Sequence, residues 1–281
     1  MVSRQTILES MREKIAQGRP IIGGGAGTGL SAKCSQEAGL DFIVVYNSGR
    51  YRMAGRSSMA GLMPYGDANA IVMEMGAEVL PVATEIPVVA GVCGTDPFRL
   101  MPQFLDQVKA AGFSGVQNYP TVCLFDGIIR ANLEETGLGF YKEVELIRLA
   151  HERDLFTASY VANLDEAAAM AAAGADVVVP HMGLTTAGMI GAQTALTIEE
   201  CKVRIAELAA AARAENPDVI VVCHGGPIYG PDEAAEIIAD VPGVQGFLGA
   251  SSMERLPTEV AMVEHMRSYT RIALPATAQT R

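Results

Sequence analysis

The 281-residue chain has no tryptophan, only four histidines and five cysteines, and just 19% charged residues. Basic residues are the scarcer sign, 21 Lys and Arg against 32 Asp and Glu, for a formal charge of −11. Such a balance repels phosphate polyanions and anionic headgroups, which argues against nucleic-acid and membrane-surface partners. No run approaches the roughly 18 consecutive apolar residues of a bilayer span. Met1 to Arg19 mixes charge with helical periodicity and lacks the apolar core of a secretion signal. The cysteines (Cys34, Cys93, Cys123, Cys201, Cys223) are far apart, form no C-x-x-C, and sit mostly in apolar stretches. They read as reduced, buried thiols of a cytoplasmic protein. The lysines, Lys14, Lys33, Lys109, Lys142 and Lys202, all fall in helical stretches, which disfavours Schiff-base chemistry. Zinc-protease H-E-x-x-H, phosphate-loop and G-x-S-x-G motifs are missing too.

What the chain does have is a repeated pattern. Short apolar runs recur at Ile21–Gly24, Phe42–Tyr46, Val88–Cys93, Gly115–Asn118, Phe156–Val161, Val177–Pro180, Val219–Cys223 and Gly246–Leu248. Helical patterns lie between them, among them Pro97–Ala111, Phe140–Arg153, Leu164–Ala173, Ile198–Ala214, Asp232–Ile238 and Thr258–Arg267. Continuous apolar strands alternating with helices imply βαβ units and a parallel sheet covered on both faces. Eight units in this length predict an α/β fold, a closed (β/α)8 TIM barrel. An extra N-terminal helix, with Thr6-Ile7-Leu8-Glu9 in capping-box form, is expected to cover the barrel bottom. Further N-caps are expected at Thr197, Asp232 and Thr258. Residues 1–274 form one domain on this reading, and the small polar tail 275–281 is expected to be disordered.

Barrel chemistry sits on the loops that follow the strands. After the first strand, Gly23 to Gly29 includes Gly25 and Gly27, either a tight turn or backbone amides open to an anion. After the second, Arg50, Arg52 and Arg56 stand within seven residues of a long polar loop. They suit a carboxylate or phosphate clamp; the plainer alternatives are a solvated loop or pairing with acids of another subunit. After the third, Asp96-Pro97 is a helix cap, a catalytic acid, or both. Asn118, Tyr119 and Tyr160 offer amide and phenol groups near the ends of the fourth and fifth strands. His181 and His224 each follow an apolar run directly, where histidine serves as acid, base, oxyanion donor or metal ligand. His151 and His265 fall on helices and read as surface residues. Gly225-Gly226 with Gly249, Ala250, Ser251 and Ser252 resembles the anion cradle found after strands seven and eight of many barrels.

The segments Gly27-Thr28-Gly29-Leu30-Ser31-Ala32-Lys33, Val222 to Pro227 and Gly249 to Arg255 resemble the TIM-barrel phosphoenolpyruvate hydrolase-like family, formerly called TIM-barrel signal transduction proteins. The resemblance runs to about Leu274. A similar barrel forms the C-terminal part of a plant tobamovirus-resistance protein. The family is remotely similar to the phosphoenolpyruvate mutase and isocitrate lyase superfamily, whose members use Mg²⁺ to stabilise enolate-like states of oxo-acids. Where that superfamily carries an acidic cluster after strand three and a Glu–Asp–Lys element after strand four, this chain has Gly94-Thr95-Asp96 and Gln117-Asn118-Tyr119.

The resemblance implies an enzyme acting on a small oxo-acid or phosphorylated carboxylate, a hydrolase or lyase cleaving a C–C, C–O or C–P bond through an enolate. Arg50, Arg52 or Arg56 would close over the carboxylate and the glycine loops would hold an anion. His181 and His224 would serve proton transfer or oxyanion stabilisation, and Asp96 would orient a histidine or a metal-bound water. One alternative is an aldolase or hydrolase dependent on a divalent metal (Mg²⁺ or Zn²⁺) held by His181, His224 and an acid. Another is a non-catalytic ligand-sensing or protein-binding barrel. The partners expected are a small anionic substrate and a second copy of the chain in a homo-oligomer.

Overall fold

Each of the eight apolar runs forms a strand, and each strand ends within one residue of the boundary read from sequence. They are β1 (Ile21–Gly25), β2 (Phe42–Val45), β3 (Val88–Val92), β4 (Gly115–Asn118), β5 (Phe156–Val161), β6 (Val177–Pro180), β7 (Ile220–Cys223) and β8 (Gly246–Gly249) in the computed structural model. Every strand residue except Ile22 is buried, as expected when helices cover one face and barrel-filling side chains the other. All pairings are parallel, and the sheet closes in the order β1 to β8 with Ile21 opposite Gly246. The structure describes residues 1–274; the tail 275–281, expected to be disordered, lies outside the described residues.

The N-terminal helix Arg4–Ala16 buries Ile7, Leu8 and Met11. It crosses the end of the barrel where the strands begin. The Val2 amide donates to Ser114 Oγ at 3.1 Å just before β4, and the Arg4 guanidinium grips Asp176 at 2.7–3.1 Å just before β6. Its cap is Ser3, which accepts the Thr6 amide, rather than the expected Thr6–Glu9 box. The capping box at Thr197 and Glu200 forms as read. Asp232 and Thr258 do not cap. Their helices begin earlier, at Pro231 and Arg255, and Thr258 Oγ1 donates back to the Glu254 carbonyl.

Two further corrections bear on the working face. Asp96-Pro97 does not open a helix, because Asp96 accepts the Phe98 amide and pairs with Arg99, which holds the chain in a turn until the helix Met101–Ala111 begins. The polar stretch after β2 is no plain loop. Asn47–Met53 is an α-helix, followed by a 3₁₀ turn at Ser58–Leu62 and a helix at Ala68–Val79. No helix among the described residues is long and apolar enough to cross a membrane.

Candidate active site

Two histidines 43 positions apart in sequence meet because their strands are neighbours. β6 and β7 extend by one further parallel pair, His181 with His224, just past the strand ends. The two rings lie 4.7 Å apart, and the Tyr160 ring lies 4.9 Å from each. Tyr119 stacks edge-on to Tyr160 at 6.3 Å, and Tyr46 lies 5.0 Å from Tyr119. This aromatic wall surrounds a cavity of about 340 Å³ at the strand C-terminal end, which Arg52, Ser48, Ser58, Ala250 and Ser251 also line.

The backbone fixes the imidazole tautomers. His224 Nδ1 lies 2.7 Å from the Leu248 carbonyl, so Nδ1 carries the proton and donates. Its Nε2 is then a lone pair, and the Tyr160 hydroxyl 3.3 Å away donates to it. His181 is the opposite. The Gly183 amide donates to its Nδ1 at 3.1 Å, which leaves the proton of the neutral ring on Nε2. Burial lowers His224 to about 4, with Arg52 adding to the effect. Burial, then the neighbouring His224, lowers His181 well below the ordinary imidazole range. Both rings are neutral at pH 7, one offering an N–H and the other a hydroxyl-linked lone pair.

Arg52 supplies the cavity's positive charge. It is 1% exposed, and its Nε and Nη2 donate to Glu254 Oε2 at 2.8 and 2.5 Å. Its remaining nitrogen, Nη1, is buried without a partner. Burial pulls the guanidinium down, but Glu254 more than restores it, and the group stays charged. Glu254 is itself held by the Gly27 amide and Ser31 Oγ, each at 2.5 Å from Oε1. Glycine is required around this pair. A Cβ on Gly27 would sit 2.3 Å from the Gly49 carbonyl oxygen, and one on Gly25 2.9 Å from the Tyr46 hydroxyl.

Helix geometry separates the three arginines. Successive residues turn by about 100°, so positions 50 and 52 face nearly opposite ways. Arg52 points inward, whereas Arg50 pairs with Glu74 at 2.8 Å on the surface and exposed Arg56 reaches only the Gly55 carbonyl. Arg50 and Arg56 therefore do not join the cavity.

The other expected residues divide in the same way. Tyr119, Tyr160, His181, His224, Ala250 and Ser251 line the cavity. Asn118 lies beneath it: its amide nitrogen donates to Glu143 and the Tyr160 carbonyl, and its oxygen accepts the Tyr160 amide at 2.7 Å, fixing that tyrosine. Asp96 is taken up by Asn69, Arg99 and the Phe98 amide, away from both histidines. The residues expected to form a cradle after β7 and β8 divide: Ala250 and Ser251 line the cavity, whereas Gly225, Gly226, Gly249 and Ser252 do not. The Gly226 amide is spent on the Gly183 carbonyl at 2.8 Å, Gly249 is inside a strand, and Ser252 faces a separate apolar hollow. Of the two helix histidines, His265 is exposed, and half-buried His151 faces the Gly174 carbonyl. Tyr46, Ser48 and Glu254 complete the site without standing out as individual residues in the sequence. Tyr46 closes the second apolar run, and Glu254 lies in the segment after β8, positions that did mark the working face.

A divalent cation is not matched by these donors. Among the described residues no three His, Cys, Asp or Glu side chains gather. His181 Nδ1 and the His224 lone pair are each occupied, and the one carboxylate at hand, Glu254, is consumed by Arg52, Gly27 and Ser31. Mg²⁺ prefers about six oxygens and catalytic Zn²⁺ about three protein ligands, so neither is served here.

Comparison with known proteins extends this geometry. Residues 6–272 match the family described as phosphoenolpyruvate hydrolase-like. Two Solanum lycopersicum proteins, ToMV susceptible protein tm-1(GCR26) and ToMV resistance protein Tm-1(GCR237), are each 56% identical over 271 residues. That alignment covers 96% of this chain and 36% of theirs, so the chain spans about a third of their length. Among solved structures, a phosphonopyruvate hydrolase in complex with oxalate and Mg²⁺ is similar in fold, with a TM-score of 0.57 and 17% identity, covering 98% of this chain and 93% of that one.

Proposed function

The chain belongs to the phosphoenolpyruvate hydrolase-like family, and from that premise we propose that it is an enzyme acting on a small oxo-acid by metal-independent proton transfer through an enolate. The observation that carries this reading is the buried, unpartnered Nη1 of Arg52, a residue lining the same cavity as two neutral imidazoles. A carboxylate is the natural acceptor for such a nitrogen, since charge-assisted hydrogen bonds are strong where water is excluded. With the carboxylate on Arg52, His181 Nε2–H serves as donor to the oxygen on which negative charge develops. A neutral imidazole suits this task, because it donates without itself needing deprotonation. Tyr160 and His224 form the proton path: a proton taken up at the Tyr160 oxygen releases the hydroxyl proton to His224 Nε2. His224 can accept it because Leu248 holds the first proton on Nδ1. Asn118 and Glu143 are positioning residues that hold the Tyr160 segment. The five free cysteines suit a reducing cytoplasmic setting, and a homo-oligomeric state belongs to the same reading, tested by sedimentation.

The test is solvent exchange. Wild-type protein in D₂O should wash out the C3 protons of pyruvate, followed by proton NMR, and His224→Gln should slow the exchange by about 10²-fold or more. Exchange that is no faster than in buffer, across a panel of small 2-oxo acids, would refute the reading. A second reading, a ligand-sensing or protein-binding barrel, is favoured by the names of the tomato relatives. It predicts carboxylate-induced thermal stabilisation with no exchange and no turnover.

A further inference from the structure

The charges around the cavity are few and can be counted. Arg52 is the one lining cation among the described residues, and Glu254 already balances it. Two arginines on the segments after β8 and β2 are spent elsewhere: Arg255 on Glu259 and the Ala187 carbonyl, Arg50 on Glu74. No lysine lines the cavity. One guanidinium nitrogen remains, buried and unpartnered, and the other polar groups of the wall include the Ser48, Ser58 and Ser251 hydroxyls. The rest of the wall includes three apolar side chains, Met59, Leu124 and Leu184. An anionic group needs compensation when it leaves water, and an unpaired second charge against apolar walls is strongly disfavoured.

We infer that the cavity selects a monocarboxylic 2-oxo acid with a branched apolar body over any acid bearing a phosphoryl group or a second carboxylate. The carboxylate meets Arg52 Nη1 and the body lies against Met59, Leu124 and Leu184. This rests on the enzymatic reading above and narrows it, since a phosphorylated enol acid brings more negative charge than one balanced arginine can serve.

Titration calorimetry on the whole chain at pH 8, where both imidazoles are neutral, tests the selection with four probes: 4-methyl-2-oxopentanoate, pyruvate, 2-oxoglutarate and phosphoenolpyruvate. The branched acid should bind at least tenfold tighter than pyruvate, and pyruvate tighter than either multiply charged acid. Phosphoenolpyruvate or 2-oxoglutarate binding as tightly as the branched acid would overturn the selection while leaving the oxo-acid reading intact. If none of the four binds, the oxo-acid reading itself falls, and the selection with it. Leu184→Arg places a second cation on the partly exposed side of the cavity. It should reverse the order, weakening 4-methyl-2-oxopentanoate and tightening 2-oxoglutarate by tenfold or more. An unchanged order in a folded Leu184→Arg protein would show that this wall does not face the ligand, and would equally overturn the inference.

Discussion

Arg52 and Glu254, 202 residues apart in the chain, form a fully buried ion pair in which the guanidinium spends two of its three nitrogens and keeps the third free. The pair joins the helix after β2 to the segment after β8. Because β1 lies between those strands in the closed sheet, the Gly25 and Gly27 backbone runs directly past it. The pair thus fixes both the shape of the cavity floor and the position of its charge.

Breaking that pair should be costly. Removing one partner of a buried ion pair leaves an uncompensated charge, worth about 3–5 kcal/mol. Glu254→Gln should lower the unfolding free energy by that amount in urea titrations. The double replacement Arg52→Met with Glu254→Leu should be less destabilised than Glu254→Gln. A single variant within about 0.5 kcal/mol of wild type would mean that the two side chains are not paired in solution.

The neutral imidazoles make stability fall in acid. A histidine held below its ordinary value resists protonation only while folded, so the stability it contributes is complete above pH 6.5. It drains as pH falls through that value toward about 4 for His224. The shift corresponds to about 3 kcal/mol at most. His224→Gln should therefore lose less stability than wild type between pH 6.5 and 4. Parallel stability curves for the two proteins over this range would contradict a buried neutral His224.

Glu143 works in the opposite sense. It is fully buried, and burial raises its carboxyl to about 7 despite hydrogen bonds from Thr121, the Val122 amide and Asn118. The folded state binds this proton more tightly than the unfolded chain, so stability is lost as pH rises from 4.5 to 7. Glu143→Gln should abolish that component, about 3 kcal/mol at most. Wild-type stability relative to the variant should decline across the interval, and a constant difference would show that Glu143 is already ionised in the folded protein at pH 5.

Tyr160→Phe separates chemistry from packing. The ring remains, so stability should fall by about 1 kcal/mol, the worth of one hydrogen bond. Exchange of substrate protons should fall by about 10²-fold, since His224 Nε2 loses its connection to the substrate. Equal exchange rates in the two proteins would remove Tyr160 from the proton path.

The barrel was legible because its strands are short, continuous apolar runs, and position at their ends was enough to single out His181 and His224. Arg52 could not be separated from Arg50 and Arg56, because Asn47–Met53 reads as a polar loop; its helical phase turns Arg52 rather than Arg50 inward, and Arg56 lies beyond its end. Asp96 before Pro97 has the form of a helix start, yet its pairing with Arg99 delays the helix to Met101. The glycines after β7 and β8 suggested an anion cradle, but a glycine run does not reveal whether its amides are free, and the Gly226 amide is not. Nothing local marks Glu254, an acid whose partner lies 202 residues away.

The proposed chemistry needs a carboxylate on Arg52 within reach of two neutral, differently protonated imidazoles. Nitrogen-15 NMR of the imidazole rings at pH 7 reads this directly. Without ligand, His224 should carry its proton on Nδ1 and His181 on Nε2, and saturating pyruvate should shift the His181 Nε2 resonance in wild type but not in Arg52→Met. Protonated rings, exchanged tautomers, or a pyruvate response that survives the loss of Arg52 would contradict the account.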